Sequence, residues 1–414
     1  MNNRQRIAAA LAIFVILGVL ALLGWAHQRG RLGGSRAGNA LTVNVTTPSD
    51  RGPGSLREAL YIVDGANRPA TVVIRTAKIA LTTPLPPLIN PHGVRIVGQA
   101  AGVEIDAGAL AAGPVLDVAG ANSSLEGVTV RHCPAAGILL RATHLHLQSS
   151  TVESCDVAVD VAENAGDVLL EHNSFSDDRV GVRFAGASPH AVVIGNSFLR
   201  DKDAGLWAVR AAADDPRGDP ITIRENRFSA DGSGIVAGNI ALLAERNQFD
   251  QPLESAVHLI GAGAVIRSNS ISGGATGIAA ENAHGALIEA NEIEHVTAYA
   301  IMVRSSAGVV VRGNRVHNCG YGLAFVLGDA HSPSTAVDNT IIEPRFDGID
   351  VVGDSPILRH NRVLGPRALA LHVVDYRPSG APEVPAQPLL DGNNFRANQV
   401  QVAADNATHE ATRR

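Results

Sequence analysis

The chain has 414 residues, a formal net charge of −6, 45% hydrophobic residues and 4% aromatic residues. The hydrophobic content supports a folded core. The first 36 residues contain five arginines and no acid, so the remainder has 29 basic and 40 acidic residues and a net charge of −11. This balance disfavours nucleic acid as a partner. An acidic glycan would require a locally basic groove.

The first feature along the chain is an uncharged apolar run of 20 residues, 7–26. That length is enough to span a bilayer, and a secretory signal is usually shorter. We therefore predict an uncleaved transmembrane signal-anchor, with a cytoplasmic tail at 1–6 and a flexible linker at 27–40. The alternative is a signal peptide that is cleaved after Ala26. Arginines on both sides of the run leave its orientation open.

Residues 41–70 carry the signature of an N-terminal cap. Ser55 is followed three positions later by Glu58, the spacing of a helix capping box. Leu56 and Leu60 give the segment an apolar face. We predict a short helix that covers the strand edges of the domain that follows, because open edges promote aggregation.

A repeat occupies most of the remaining chain. An asparagine followed two positions later by an apolar residue recurs at steps of 21 to 32 residues, most of them near 22. These asparagines are Asn173, Asn196, Asn226, Asn247, Asn269, Asn291, Asn314, Asn339, Asn361 and Asn393. Short runs of alternating polarity between them are too short for helices and indicate strands. Three such strands in about 22 residues predict one coil of a parallel β-helix.

The pattern resembles the right-handed parallel β-helix proteins, the pectate lyase-like superfamily that includes polygalacturonases and mannuronan C5-epimerases. The resemblance covers residues 70–400 and implies an all-β fold of about 11–12 coils over residues 71–400, with a flexible tail at 401–414. It carries little functional information, because the asparagine pattern belongs to the coil. Members of this fold are often exported. The resemblance therefore implies a single-pass inner-membrane protein with its β-helix in the periplasm, or a secreted protein if the N-terminal segment is cleaved.

The three cysteines fall in one turn column of the repeat. Cys133 and Cys155 are one coil apart, so their side chains should stack at about the 4.8 Å spacing of neighbouring strands. A disulfide between them requires local adjustment, because relaxed bridges have a shorter Cβ separation. Cys319 has no obvious partner, and no zinc-binding spacing is present.

In enzymes of the resembled superfamily, substrate usually lies along the strand that follows the asparagine turn. If Val182 and Phe184 face inwards, Arg183 faces outwards. The same register places Asp160, Arg183 and Trp207 side by side on consecutive coils. We predict these as substrate-binding residues, with Trp207 stacking on a sugar and Arg183 holding a carboxylate. The alternative is a surface ion pair of Asp160 and Arg183, with Trp207 covered by a loop.

A second outward group consists of His258, Glu281 and Arg304. Proton abstraction next to a uronate carboxylate requires a base and a cation that stabilises the enolate-like transition state. We predict His258 and Arg304 as those catalytic residues and Glu281 as a substrate-binding residue. The alternative is a solvated ladder pair beside a surface histidine.

A third group contains Tyr299 and Tyr321, which precede their strands on adjacent coils. The loop "GDAHS" is similar to the Asp-Pro-His-Asp signature of mannuronan C5-epimerases at Asp329 and His331 and differs at the other two positions. We predict Tyr321 and His331 as catalytic acid and base, and Tyr299 as a substrate-binding residue. The alternative is a pair of turn tyrosines that pack on each other.

Polysaccharide is the expected partner, and no cofactor or metal is required. The acidic clusters at 177–178, 201–203 and 214–215 are candidate Ca²⁺ ligands, with solvated loop acids as the alternative. Our leading hypothesis is an exported β-helix protein that binds an envelope polysaccharide or exopolysaccharide and, if it is an enzyme, modifies it as a lyase or C5-epimerase. The alternatives are a non-catalytic periplasmic scaffold or adhesin-like module, working with envelope-assembly proteins, and a periplasmic metal-delivery protein.

Overall fold

A computed structural model describes residues 40–99, 102–163, 165–210, 219–377, 382–396 and 400–402. The predicted tail, signal-anchor and linker up to residue 39 lie outside these residues, as do residues 403–414 of the predicted flexible tail. In the described ranges, helix length and hydropathy nowhere reach what a bilayer crossing requires.

The described chain winds into a parallel β-helix whose coils each add a strand to three sheets. Sheet 1 contains β1 (Leu41–Val45), β2 (Ala70–Ile74), β4 (Val94–Gly98), β7 (Ser124–Glu126), β10 (His146–Gln148), β13 (Leu169–Glu171), β16 (Val192–Ile194), β19 (Ile221–Arg224), β22 (Leu242–Glu245), β25 (Ala264–Arg267), β28 (Leu287–Glu289), β31 (Val310–Arg312), β34 (Thr335–Val337), β37 (Ile357–Arg359) and β40 (Leu389–Asp391).

Sheet 2 follows sheet 1 in each coil. It contains β3 (Lys78–Ala80), β5 (Val103–Asp106), β8 (Val128–Arg131), β11 (Thr151–Glu153), β14 (Ser174–Ser176), β17 (Ser197–Leu199), β20 (Arg227–Ser229), β23 (Gln248–Asp250), β26 (Ser270–Ser272), β29 (Glu292–Glu294), β32 (Arg315–His317), β35 (Thr340–Ile342), β38 (Arg362–Leu364) and β41 (Asn394–Arg396).

Sheet 3 closes each coil. It contains β6 (Leu116–Val118), β9 (Ala136–Leu140), β12 (Val157–Val161), β15 (Val180–Phe184), β18 (Ala204–Val209), β21 (Ser233–Gly238), β24 (Ser255–Ala262), β27 (Thr276–His284), β30 (Tyr299–Arg304), β33 (Tyr321–Val326), β36 (Ile349–Val352), β39 (Leu371–Val374) and β42 (Val400–Val402).

The coil count exceeds the prediction. Sheet 3 has 13 strands in the described residues, against the predicted 11–12 coils. The early coils were undercounted because they lack the asparagine, whose column holds Val128 and then Ser150. Residues 401–402, predicted as part of the tail, belong to β42.

The helix α1 (Leu56–Asp64) lies between β1 and β2. Ser55 is its N-cap, and the Ser55 side chain accepts a hydrogen bond from the Glu58 amide. The Glu58 carboxylate reaches back to the backbone N–H of Gly54 at 2.6 Å. Leu56 and Leu60 are buried, so the helix packs its apolar face on the strands as its pattern predicts.

An asparagine ladder joins the coils at the turn between sheets 1 and 2. From Asn196 to Asn393, each Oδ1 accepts the backbone N–H and the side-chain N–H of the asparagine one coil earlier, at 2.8–3.1 Å. Most of these side chains also donate to a main-chain carbonyl of an earlier coil. The ladder thus satisfies polar groups that the turn would otherwise bury without partners.

The interior behind this ladder is apolar. Four phenylalanines of sheet 2, two positions after their asparagines, stack with centroid separations of 5.1, 4.5 and 4.9 Å along Phe175, Phe198, Phe228 and Phe249. All four are buried. Offset ring stacking adds to the burial of their surface and favours the same register as the asparagines.

The turn between sheets 2 and 3 contains a second, acidic ladder. The Oδ1 atoms of Asp178, Asp201 and Asp231 accept the backbone N–H groups of Cys155, Asp178 and Asp201 at 2.7–3.1 Å. The Oδ2 atom of each aspartate is buried and has no hydrogen-bond partner among the described residues. Burial, reinforced for Asp201 by its two acidic neighbours, raises the pKa values of Asp178, Asp201 and Asp231 to about 8, about 10 and about 7. Asp178 and Asp201 are therefore held largely as neutral acids near neutral pH, whereas Asp231 is about half protonated there.

A disulfide joins Cys133 to Cys155 at the start of the same column. The sequence left open whether these two cysteines form a bridge, and in the structure they do. Cys319 is a free, buried thiol, and burial raises its pKa to about 11. The neutral thiol donates to the carbonyl oxygen of His317 at 3.3 Å. It is therefore a structural residue of the turn, poorly suited to nucleophilic chemistry.

Asn247→Ala should lower the free energy of unfolding by about 3 kcal/mol, because several buried polar groups lose their partners. The Oδ1 atom of Asn247 accepts from Asn226 twice, and its Nδ2 donates to Ile223 and Asn269. Urea unfolding measures the change. Gln248→Ala, which shortens an exposed side chain of β23, is the control and should change stability little. Equal effects of the two substitutions would contradict the structural role of the ladder.

Asp201→Asn should stabilise the protein increasingly as the pH rises from about 4 to about 10. The folded wild type keeps a proton that the unfolded chain releases, so it loses stability over this range, whereas asparagine does not titrate. Asp177→Asn is the matched control, since pairing with Arg200 lowers the pKa of Asp177 and makes its ionised form favourable in the folded state. Denaturant midpoints across the pH range report both. A pH-independent gain for Asp201→Asn would refute the account.

Candidate functional site

The register of sheet 3 places Asp160, Arg183 and Trp207 side by side on consecutive strands, as predicted. The paired positions run through Leu139, Asp160, Arg183, Trp207, Val236, His258, Ala279, Met302, Ala324, Asp350 and His372. Glu281 of the second predicted group pairs with Ile260 on one neighbouring strand and with Arg304 on the other. Side chains about 22 residues apart in sequence are therefore neighbours on one surface.

The first predicted group is brought together on this surface. Arg183 makes two parallel hydrogen bonds to the carboxylate of Asp160, Nε to Oδ1 at 2.9 Å and Nη2 to Oδ2 at 2.5 Å. Trp207 pairs with Arg183 on the next strand and is partly exposed. The ion pair engages both oxygens of the Asp160 carboxylate, so a ligand carboxylate would have to compete with Asp160 for Arg183. Substrate binding by these residues stays a prediction.

The second predicted group also forms a contiguous cluster. Glu281 lies between its partners, with Oε2 at 3.5 Å from Nε2 of His258 and Oε1 at 3.8 Å from Nη1 of Arg304. The Nε2 atom of His258 is buried and has no hydrogen-bond partner in the described residues. The cluster lies towards the carboxyl ends of β24, β27 and β30.

The third predicted group is split by the fold. Tyr299 and Tyr321 stack at the amino ends of β30 and β33, with ring centroids 4.8 Å apart. The strand β33 begins at Tyr321 and is roughly 17 Å long at about 3.3 Å per residue. His331 lies five residues beyond its other end. The ring of His331 is 98% exposed and lies 3.3 Å from Asp329 in its own loop. The structure therefore does not place His331 beside Tyr321.

Three residues that the sequence reasoning did not select complete the tyrosine cluster. His372 Nδ1 lies 2.9 Å from Oδ1 of Asp350 and 3.7 Å from Oδ2 of Asp347. Each of the three offers an atom within 4.8 Å of the others. Continuing the row of Asp160, Arg183 and Trp207 along the chain places Asp350 and His372 side by side, and this adjacency is the signal that could have found them. Asp347 precedes its strand, so the row did not include it.

An aromatic stack adjoins this cluster. Phe346, next to Asp347 in sequence, packs on Tyr321 with centroids 4.9 Å apart and is 48% exposed. The backbone carbonyl of Asp347 accepts a hydrogen bond from Gly322, which follows Tyr321. The rings and the acidic groups therefore belong to one surface, which we call the aromatic–carboxylate site and define by Tyr299, Tyr321, Phe346, Asp347, Asp350 and His372.

The electrostatics of the site favour protonated acids. Burial raises the pKa of Asp350, only partly opposed by His372. Burial and the negative charge of Asp350 raise the pKa of Tyr299, and burial together with Asp347 and Asp350 raises that of Tyr321. The site thus offers protonated phenols and a carboxyl that retains its proton more strongly than usual, which are properties of general acids.

Two carboxylates and an imidazole are also a donor set for a divalent cation. The acidic clusters predicted as Ca²⁺ ligands are arranged differently. Asp177 and Asp203 pair with Arg200 and Arg179, and Asp178 and Asp201 are buried in the acidic ladder. Asp214 and Asp215 lie outside the described residues.

Asp350→Asn should lower the pKa of Tyr299 and Tyr321 towards the usual value for tyrosine, because it removes a negative charge that opposes ionisation of both phenols. The rise of tyrosinate absorbance during an alkaline titration measures this shift. Asp329→Asn, in the exposed loop of His331, is the control and should leave the titration unchanged. An unchanged curve for Asp350→Asn would mean that the tyrosines and the acidic cluster do not form one site.

Comparison with known proteins identifies the fold family. The family model described as the right handed beta helix region matches residues 115–239 and 214–363 of the chain. The A-module of the Azotobacter vinelandii mannuronan C-5 epimerase AlgE6 superposes with a TM-score of 0.58 at 14% identity, over 86% of this chain and 100% of that one. The catalytic unit of the GH87 alpha-1,3-glucanase from Streptomyces thermodiastaticus has a TM-score of 0.56 at 16% identity, over 87% and 69%.

At these low sequence identities, the two superpositions show a common fold. No curated protein matches the chain by sequence. The family match covers more than half of the residues, and the parallel coils and three sheets agree with it. The chain therefore belongs to the right-handed β-helix family.

Proposed function

We propose that the protein binds a polysaccharide along the outward face of sheet 3 and acts on it at the aromatic–carboxylate site. The observation that carries this proposal is the hydrogen-bonded Asp350–His372 pair, with Asp347 beside it, next to stacked aromatic rings on one face of sheet 3. The two solved structures of similar fold are named for enzymes, an epimerase of mannuronan and an alpha-1,3-glucanase, which supports carbohydrate as the ligand class.

The aromatic rings supply a platform for a sugar. A pyranose presents a face of C–H groups that packs on an aromatic ring, and the exposed ring of Phe346 continues the stack of Tyr321. Trp207 lies six strands from Asp350 in the same row, about 29 Å away at the usual strand spacing. A polymer lying along sheet 3 could contact both.

The carboxyl groups support glycosidic cleavage as the reaction. Such cleavage uses one carboxylic acid to protonate the leaving oxygen and a second carboxylate as nucleophile or base. Asp350, with its raised pKa and its bond to His372, fits the acid, and Asp347 is the second group. The backbone N–H of Leu369 donates to Oδ1 of Asp347 at 2.9 Å, which fixes this carboxylate in place.

A second candidate function is uronate chemistry of the lyase or C5-epimerase type at His258, Glu281 and Arg304. The observation that favours it is that the base and the cation flank Glu281 at 3.5 and 3.8 Å. A uronate carboxylate would need the cation that Arg304 provides. The export of the protein, its membrane anchoring and its work with envelope-assembly proteins remain proposals that accompany either reaction.

The two reactions should separate by product and by variant. The full chain is incubated with neutral, amino and uronate polysaccharides, followed by assays for new reducing ends and for the ultraviolet absorbance of unsaturated uronates. We expect new reducing ends, and we expect Asp350→Asn to reduce their rate about 100-fold because a general acid is lost. His258→Gln should leave this rate unchanged, since His258 on β24 lies four strands from Asp350 on β36 in sheet 3.

Other outcomes select other functions. Unsaturated product that is lost in His258→Gln and kept in Asp350→Asn would replace glycosidic cleavage by the second candidate. Binding without any product, checked for epimerised residues by proton NMR, would contradict catalysis and leave a scaffold. Failure to bind every polysaccharide would contradict the proposed function as a whole.

A further inference from the structure

We propose that the glycan held at the aromatic–carboxylate site carries free amino groups, as in a de-N-acetylated amino-sugar polymer. The inference rests on the proposed function and names its substrate class. It starts from the charge of the site and from the position of its rings, both of which differ from what a uronate would require.

The charges that face the site are mainly acidic. In the described residues, the ion pairs of Asp347 and Asp350 are all with His372. Arg345, next to Phe346, directs its guanidinium to the carbonyl oxygen of Val296 at 3.2 Å. Two carboxyls thus share one imidazole, so acidic groups outnumber basic groups at the site.

In the described residues, two cations of neighbouring elements, Arg304 and Arg367, form no ion pair with Asp347 or Asp350. Arg304 is at the opposite end of β30 from Tyr299 and pairs with Glu281. Arg367 is an exposed residue of the turn before β39, where its backbone N–H donates to Pro344. A uronate at the rings would therefore face two aspartates without a dedicated counterion, which is unfavourable.

An ammonium group fits the same surroundings. It can donate charge-assisted hydrogen bonds to a carboxylate, and the faces of aromatic rings attract a cation through their quadrupole. Tyr321 and Phe346 supply such rings beside Asp347. A sugar that stacks on Phe346 and presents its amino group to Asp347 would satisfy both features at once, whereas acetylation removes the charge that both of them recognise.

The test compares oligosaccharides of equal length: a glucosamine oligomer, its N-acetylated form and an oligouronate. Calorimetry on the full chain is carried out at low salt, below the pKa of the sugar amine, with a chelator present so that no divalent cation competes. We expect the glucosamine oligomer to bind at least about tenfold more tightly than the other two, in line with one additional charge-assisted contact. Added salt should reduce this difference.

Three variants assign the effect to the site. Asp347→Asn keeps the acceptor for Leu369 and should remove most of the preference for the amine. Tyr321→Ala should weaken binding of every glycan that binds. Asp329→Asn, a similarly acidic residue of a distant loop, should change nothing. Thermal unfolding of each variant establishes that it folds.

The failures can be told apart. Equal affinity for the charged and acetylated oligomers, lost in Tyr321→Ala, would overturn this inference and leave the proposed function standing. A preference for the amine that persists in Asp347→Asn would also overturn it, because the acidic surface as a whole would then be the cause. Absence of binding by all three oligomers would count against the inference and the proposed function together.

Discussion

The fixed register between successive coils is the constraint on which the rest of the structure depends. Each coil contacts mainly its two neighbours, so a slip at one turn would displace every later residue by one position and turn outward side chains inwards. The asparagine ladder opposes such a slip because each Oδ1 accepts two hydrogen bonds from the preceding coil. Residues that are distant in sequence consequently stay aligned on sheet 3 without a loop to hold them.

Two of the turns in the coil use a side-chain oxygen to accept a buried backbone N–H of the preceding coil, but with different residues. Asparagine offers a neutral donor and acceptor, so the ladder from Asn173 is satisfied at any pH. Asp178, Asp201 and Asp231 use one oxygen in the same way and leave the other without a partner, which is tolerable only while the carboxyl holds a proton. The acidic turn therefore makes the solenoid sensitive to alkaline pH in a region away from the candidate site.

Much of the fold could be predicted from sequence because its signal is repeated many times. The asparagine spacing gave the coil, and alternation about Arg183 gave the outward row that the strand pairing reproduces. The end of a strand at which a loop residue lies could not be predicted in the same way. His331 was grouped with Tyr321 by proximity in sequence, but a strand of six residues separates the two.

For a related reason, only part of the candidate site could be predicted from the sequence. Tyr299 and Tyr321 could be selected because they precede their strands on adjacent coils, whereas Asp350 and His372 occupy ordinary positions of the row and have no motif around them. Asp347 became part of the site through a turn whose shape no periodicity describes. Which carboxyl is buried and which is paired is decided by packing between coils, and this determines the chemistry that each group can perform.

The most direct test of the account is a crystal structure of the protein with an oligosaccharide bound. The account predicts a sugar ring against Phe346 and Tyr321, with a polar group of the sugar within hydrogen-bond distance of Asp347 or Asp350. A sugar seated at His258 and Arg304 would transfer the function to the second cluster. A sugar bound to another sheet, with the rings of Tyr299 and Tyr321 uncovered, would contradict the assignment of this site.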